Sequence, residues 1–308
     1  MTTIDICEVG PRDGLQSEPR IWSVDERIEL IDRLSATGVK RIEAVSFVNP
    51  RRVPQMAAAE DVMAGVKRPD GVTFVGLALN LRGVERAIGA GVDEVRYAVV
   101  ASETFNRKNQ GSSIDDTLRS YRDMAGSVTA AGLRLSAVVA AAFGCPFEGE
   151  VALSKVTDLA RVLVGEGAQD IYLADTIGAA VPNQVAERIA ATRDVVGGAV
   201  TLGCHLHNTR NTGFANAVAA VQAGVRLLDS SVGGIGGCPF APRATGNIAT
   251  EDLCFLLRNM GYETGVDVDA VIEVARWAET SFDAPLPGQV MKAGLFPESA
   301  KLRQEAAE

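Results

Sequence analysis

Eight short apolar runs recur along this chain, each followed by a stretch of helical period, and that alternation restricts the fold more than any other feature. The runs fall at residues 4–9, 41–47, 72–79, 94–101, 134–142, 170–174, 200–205 and 227–231. Short apolar runs rich in β-branched residues and bounded by glycine or polar residues read as strands. Amphipathic stretches at 24–36, 114–131, 152–165, 182–195 and 214–223 read as the helices between them. Ser23 ahead of Glu26 resembles a capping box, and Pro182 suits a first helical turn. Gly38, Gly91, Gly132, Gly167 and Gly224 each follow a helical run, as helix-ending glycines do. The pattern predicts an α/β (β/α)8 TIM barrel, with an open doubly wound sheet as the alternative, because periodicity does not report closure. No Gly-x-Gly-x-x-Gly follows the first strand, which argues against a dinucleotide site. Segments 251–260 and 267–281 add helices after the last strand. The expectation is a single catalytic domain over 1–308, with a barrel over about 4–260 and one or two extra helices over about 261–308.

Apolar residues make up 47% and charged residues 22%, enough for a sizeable core in a soluble protein. The net charge of −9 argues against nucleic-acid or anionic-membrane partners, so an anionic ligand has to be held by local basic residues. Five scattered cysteines with no CxxC pair suit reduced thiols. With no long apolar span and no visible secretory signal, a cytoplasmic location is expected. A homo-oligomer, dimer or larger, is also expected, although nothing visible selects its surface.

The chain has only two histidines, in Gly203-Cys204-His205-Leu206-His207-Asn208 at the end of the seventh strand. Residues i and i+2 of a strand face one side, so both imidazoles project together, as a divalent metal requires of a ligand pair. Barrel chemistry sits at the C-terminal strand ends. There this chain carries Arg12, Asp13, Gln16, Glu43, Asn80, Ser102-Glu103, Asp175-Thr176 and Ser230-Ser231. Asp13 can serve as a third ligand or simply as the turn former before Gly14. For Asp175-Thr176 and Ser102-Glu103, a cap or loop polar group is an equal alternative. Residues 233–247 contain five glycines among fifteen, a loop that needs unusual backbone angles or close ligand approach. Cys238 within it is a candidate acid, base or nucleophile.

Several longer motifs then come together. Glu8-Val9-Gly10-Pro11-Arg12-Asp13-Gly14-Leu15-Gln16, Ser46-Phe47-Val48-Asn49-Pro50 with Val53-Pro54-Gln55-Met56, and Gly144-Cys145-Pro146-Phe147-Glu148-Gly149 are three of them. Asp175-Thr176-Ile177-Gly178, Gly236-Gly237-Cys238-Pro239 and Thr245-Gly246-Asn247 through to Ala249-Thr250-Glu251-Asp252 complete the set. Together they resemble the 3-hydroxy-3-methylglutaryl-CoA (HMG-CoA) lyase family over about residues 4–290. The resemblance implies a divalent cation, Mg2+ or Mn2+, on Asp13, His205, His207 and Asn247. It implies catalytic roles for Arg12 and Cys238, with Glu43, Asp175, Gln16 and Glu251 supporting the site, and cleavage of a 3-hydroxyacyl-CoA into acetyl-CoA and a keto acid. In that scheme Arg12 stabilises the thioester enolate and Cys238 returns a proton to it. The hydroxyl base stays open among Asp13, Asp175 and metal-bound water.

Three departures from the family pattern bear on the acyl group. Asn208 stands where an aspartate usually follows the second histidine, Val138 where a tyrosine is usual, and Arg243 replaces a glycine. Arg243 can meet a substrate carboxylate or a CoA phosphate, or remain a solvated side chain. Citramalyl-CoA and longer 3-alkyl-3-hydroxyglutaryl-CoA substrates stay open beside HMG-CoA. Two other classes compete: an acetyl-CoA-condensing synthase of the isopropylmalate synthase type, and a CoA-independent aldolase. The synthases usually carry a long region after the barrel and lack this Gly-Gly-Cys-Pro loop.

Overall fold

Eight parallel strands hydrogen-bond in chain order and close on themselves. They are β1 (Asp5–Glu8), β2 (Arg41–Ser46), β3 (Thr73–Leu77), β4 (Glu94–Val100), β5 (Arg134–Ala140), β6 (Asp170–Asp175), β7 (Thr201–Leu206) and β8 (Leu227–Ser230). Closure runs from Asp5 opposite Leu227 to Glu8 opposite Ser230, so the open-sheet alternative does not apply. The structure is a computed structural model and describes residues 2–237 and 246–296.

The helices are α1 (Val24–Ser35), α2 (Ala59–Gly65), α3 (Leu81–Gly89), α4 (Glu103–Gln110), α5 (Ile114–Ala130), α6 (Leu153–Gly165), α7 (Pro182–Val196), α8 (Gly213–Gln222), α9 (Thr250–Asn259), α10 (Val268–Glu279) and α11 (Val290–Ala293). The first of them starts as its sequence demands. Ser23 Oγ accepts from the Glu26 amide at 3.2 Å, and Glu26 accepts from the Ser23 amide at 2.8 Å. Asn80 and Ser102, which sit at the catalytic rim in sequence, instead cap α3 and α4 through Gly83 N and Phe105 N. No helix among the described residues is long and apolar enough to cross a membrane.

Apolar side chains between strands and helices form the core, among them Ile6, Ile42, Phe74, Val99, Leu173 and Leu228. Each such side chain contributes about 2 kcal/mol through burial. The barrel interior is different, because charged residues from non-adjacent strands meet across it. Arg41 on β2 bonds Asp170 on β6 at 3.1 Å, and Arg96 on β4 bonds Asp229 on β8 at 2.9 Å. Contacts between strands this far apart in the ring run through its centre. A register irregularity between Glu43 and Val45 interrupts β2 where it passes Glu43.

After β8 the chain returns as α9 and α10. Trp22, ahead of α1, packs edge-on to Trp277 of α10 at 6.1 Å and against Phe282 at 5.9 Å. Leu286 and Pro287 then pass over Gly233 and Gly234, where a Cβ would meet them at 2.5 and 2.8 Å. The expected C-terminal helices are therefore built into the barrel's upper rim.

Candidate active site

Strand geometry brings the two imidazoles together. His205 is the penultimate residue of β7 and His207 follows its end, so both rings point into the mouth, with Nε2 atoms 3.1 Å apart. Gly203, two residues earlier, leaves room for the Tyr172 ring, which a Cβ would meet at 2.6 Å. The loop after β1 winds as a wide helical turn over Gly10–Gly14 and brings Asp13 to the pair. Its Oδ2 lies 3.8 Å from His205 Nε2. Asn247 forms an isolated antiparallel bridge with His207, and its amide donates to Asp13 Oδ2 at 2.9 Å.

The ligand atoms of Asp13, His205 and His207 lie within 4.8 Å of one another, so the trio can hold a metal ion. Two imidazoles and a carboxylate suit divalent ions of intermediate hardness. Electrostatics prepare each donor differently. Burial alone raises the Asp13 carboxyl, but Arg12, the two histidines and the Asn247 hydrogen bond outweigh it and hold Asp13 well below the usual carboxylate range. Burial also depresses His205, yet its bond to Asp229 and the charges of Asp13 and Asp229 leave it above its ordinary value. His207 has no such partner; burial, then the charge of His205, push it down to about 4.

The other predicted residues fall in several places. Arg12 is buried and bonds Asp13 at 2.8 Å and Glu43 at 2.6 Å, while its Nε has no partner among the described residues. Gln16 lines the adjoining cavity, and its buried Oε1 is likewise without a partner among the described residues. Asp175 is committed to its own loop, with its oxygens accepting from the amides of Ala179 at 2.8 Å and Ala180 at 3.0 Å. Glu251 opens α9 and accepts from Gly233 N at 3.0 Å; burial pushes its carboxyl up to about 8. Asn208 serves the base of the glycine loop, where its amide donates to Gly246 O at 3.0 Å. Cys238 and Arg243 lie outside the described residues.

The cavity measures about 800 Å³ and runs from Asp13 and the histidines past Val138, Ala140 and Ala174 to Arg52 and Lys108. Those two exposed cations sit on its lining in a chain of net charge −9. Sequence reasoning missed Asp229 and Arg96. Asp229 Oδ2 lies 3.1 Å from His205 Nδ1, which leaves Nε2 facing the trio. Both residues sit mid-strand in apolar runs; only the side to which they point distinguishes them.

A closed (β/α)8 barrel whose C-terminal mouth gathers a carboxylate and two imidazoles that could hold a metal ion, beside an arginine and a cavity, has the layout of the enzymes of this fold. The HMGL-like family model matches residues 3–277. The chain is 45% identical to the (R)-citramalyl-CoA lyase of Chloroflexus aurantiacus, over 97% of each chain. It is 40% identical to a hydroxymethylglutaryl-CoA lyase of Bacillus subtilis, over 93% of this chain and 95% of that one. The solved HMG-CoA lyase of Acinetobacter baumannii, in complex with coenzyme A and 3-methylmalate, superposes with a TM-score of 0.91 at 37% identity, covering 95% of both chains. The chain belongs to the HMGL-like family and is a carbon–carbon lyase.

Proposed function

We propose that the protein cleaves a 3-hydroxy-3-methyl acyl-CoA of the HMG-CoA type into acetyl-CoA and a keto acid. The convergence of Asp13, His205 and His207 beside Arg12 on the wall of the cavity carries this reading. Asp13, His205 and His207 hold Mg2+ or Mn2+, and the amide oxygen of Asn247 completes the protein's share of the ligands. When bound, the cation supplies Lewis acidity to the substrate hydroxyl and orients the acyl carboxylate.

The reaction is a retro-Claisen cleavage. The hydroxyl gives its proton to a base at the mouth, Asp13 or a water molecule there. The C3 oxygen forms a carbonyl, and the C2–C3 bond breaks with its electron pair passing into the thioester as an enolate. Arg12 stabilises the charge on the thioester oxygen; Glu43 holds the guanidinium in place. Cys238 delivers the proton that turns the enolate carbon into the methyl group of acetyl-CoA. Gln16 offers its free Oε1 to a substrate donor, and Arg243 meets an anionic group of the substrate. Asp175 shapes the rim through its loop amides, and Glu251 supports the base of the glycine loop. Arg52 and Lys108 attract the phosphates of CoA. The protein works as a cytoplasmic homo-oligomer.

Citramalyl-CoA is the second reading, favoured by the 45% identity to a lyase named for that substrate. Val138, on the cavity wall, supplies apolar contact to the acyl group in either case. The test is acetyl-CoA release from HMG-CoA, citramalyl-CoA and a longer 3-alkyl-3-hydroxyglutaryl-CoA, with and without Mn2+. Release from HMG-CoA at least ten times faster than from the others supports the first reading; the reverse order supports citramalyl-CoA. No metal-stimulated release from any of them overturns the proposal.

A further inference from the structure

Beneath the trio, six side chains form a ring of alternating charge. Asp13 bonds Arg12 at 2.8 Å, Arg12 bonds Glu43 at 2.6 Å, and Glu43 lies 3.6 Å from Arg96 NH1. The same Arg96 nitrogen bonds Asp229 at 2.9 Å, Asp229 faces His205 Nδ1 at 3.1 Å, and His205 Nε2 returns to Asp13 at 3.8 Å. Arg96 stands at the far side of the ring from the trio and is itself fixed. Its guanidinium lies 4.2 Å from the Tyr172 ring centroid, and NH2 contacts Cys7 Sγ at 3.6 Å. It is fully buried, as are Glu43 and Asp229.

We propose that Arg96 is a positioning residue that, through Asp229 and Glu43, holds both the ligating face of His205 and the guanidinium of Arg12. Without it, two buried carboxylates lose their shared cation. Asp229 then turns freely, and Glu43 is left with Arg12 as its sole cationic partner among these contacts. The planar fork also matters, because one nitrogen serves both carboxylates while the plane stacks on Tyr172. Removing one partner of a buried ion pair lowers stability whatever its role, so metal affinity and the His205 tautomer, not the melting temperature, separate a positioning Arg96 from a purely structural one. This inference rests on the metal reading above; Arg96 also lines the floor of the cavity, and the contacts used are those to Asp229 and Glu43.

The test uses the full chain as wild type, Arg96→Gln, Arg96→Lys and Asp229→Asn. Mn2+ affinity is read by electron paramagnetic resonance of the free ion, and the His205 tautomer in metal-free protein by 15N NMR. Asn at 229 can keep one oxygen between Arg96 and His205 Nδ1 but removes the negative charge that fixes the ring proton there, so the Nε2-protonated tautomer, which blocks coordination, gains population. Arg96→Gln and Asp229→Asn should each weaken Mn2+ binding roughly 10- to 100-fold, with Arg96→Lys recovering part of the loss. Arg96→Gln should also lower kcat more than it raises KM, since Arg12 shifts. If Arg96→Gln does not fold, Arg96→Lys and Asp229→Asn decide. Wild-type affinity in both, with the proton still on Nδ1, overturns the proposal while the metal site stands. A wild type that binds no Mn2+ overturns the metal reading and this inference together.

Discussion

His207 has the least support of the three candidate ligands. Its Nδ1 is buried with no partner among the described residues, and its depressed pKa keeps the ring neutral at physiological pH. His207→Ala should therefore remove metal-stimulated turnover by more than about 100-fold, beyond the usual cost of an outer-shell partner. It should move the melting temperature by only a few degrees, because the ring lines a cavity, not the core. Turnover with graded Mn2+, alongside circular dichroism melting, checks both halves. Glu251 makes a pH prediction of definite sign. Its carboxyl is held near 8 in the fold against 4.5 as the ordinary value, so between those values the folded chain keeps a proton that the unfolded chain releases. Its contribution to stability is full below 4.5 and is lost as pH rises towards 8. The melting temperature of Glu251→Gln should gain on the wild type by about 3 °C or more between pH 5 and pH 8.5. A difference that stays flat with pH would mean that Glu251 is ionised throughout. At this scale the histidine pair was legible, because strand period places it; Asp13 became a ligand only through the family resemblance, since its own surroundings read as a turn before Gly14. Arg96 and Asp229 were not legible, since a strand buried on both faces does not reveal which side chains enter the barrel.

The elements were legible where they are long or regularly punctuated. All eight strands were visible because each is an apolar run between glycines or polar turns, and the helices of α1, α5, α6 and α7 because their periodicity lasts several turns. By contrast α2, α3 and α4, of seven to nine residues, offer too few turns for a pattern. The wide turn at Gly10–Gly14 was hidden in an Asp-Gly that reads equally well as an ordinary turn. The base of the glycine loop is an element-level device of the same kind. Gly246 has φ +90°, and a Cβ there would collide with the Gly236 carbonyl oxygen, while a Cβ on Gly236, at φ +121°, would meet the Asn247 side-chain nitrogen at 2.8 Å. The two ends of the loop cross too closely for side chains. Gly246→Ala should cost about 1–3 kcal/mol from backbone strain alone. It should also displace the adjacent Asn247, reducing Mn2+ affinity and turnover at least about tenfold, while the far-UV spectrum of the barrel stays unchanged. Wild-type affinity in this variant would show that the loop base does not set Asn247.

At the scale of the whole molecule, the C-terminal extension and the catalytic rim form one structure. Gly288 N donates to Gly233 O at 3.0 Å, and Leu286 covers Gly233, whose own amide is held by Glu251. The segment after α10 thus braces the strand-to-loop corner that leads into the glycine loop. The chain reports on this directly, because its only two tryptophans, Trp22 and Trp277, pack on each other where α10 meets the approach to α1. Tryptophan fluorescence follows the extension, and far-UV circular dichroism follows the barrel. If residues 2–296 are one cooperative domain, the two signals should melt together. Leu286 is 5% exposed, so Leu286→Ala should destabilise by about 2–4 kcal/mol. In that variant both transitions should fall by the same amount, and turnover should drop even below the melting range, because the loop corner loses its brace. Were fluorescence to melt first while dichroism held, the extension would be a separate unit resting on an independent barrel. The corner would then keep its geometry without it, and Leu286→Ala would retain full activity in the cold.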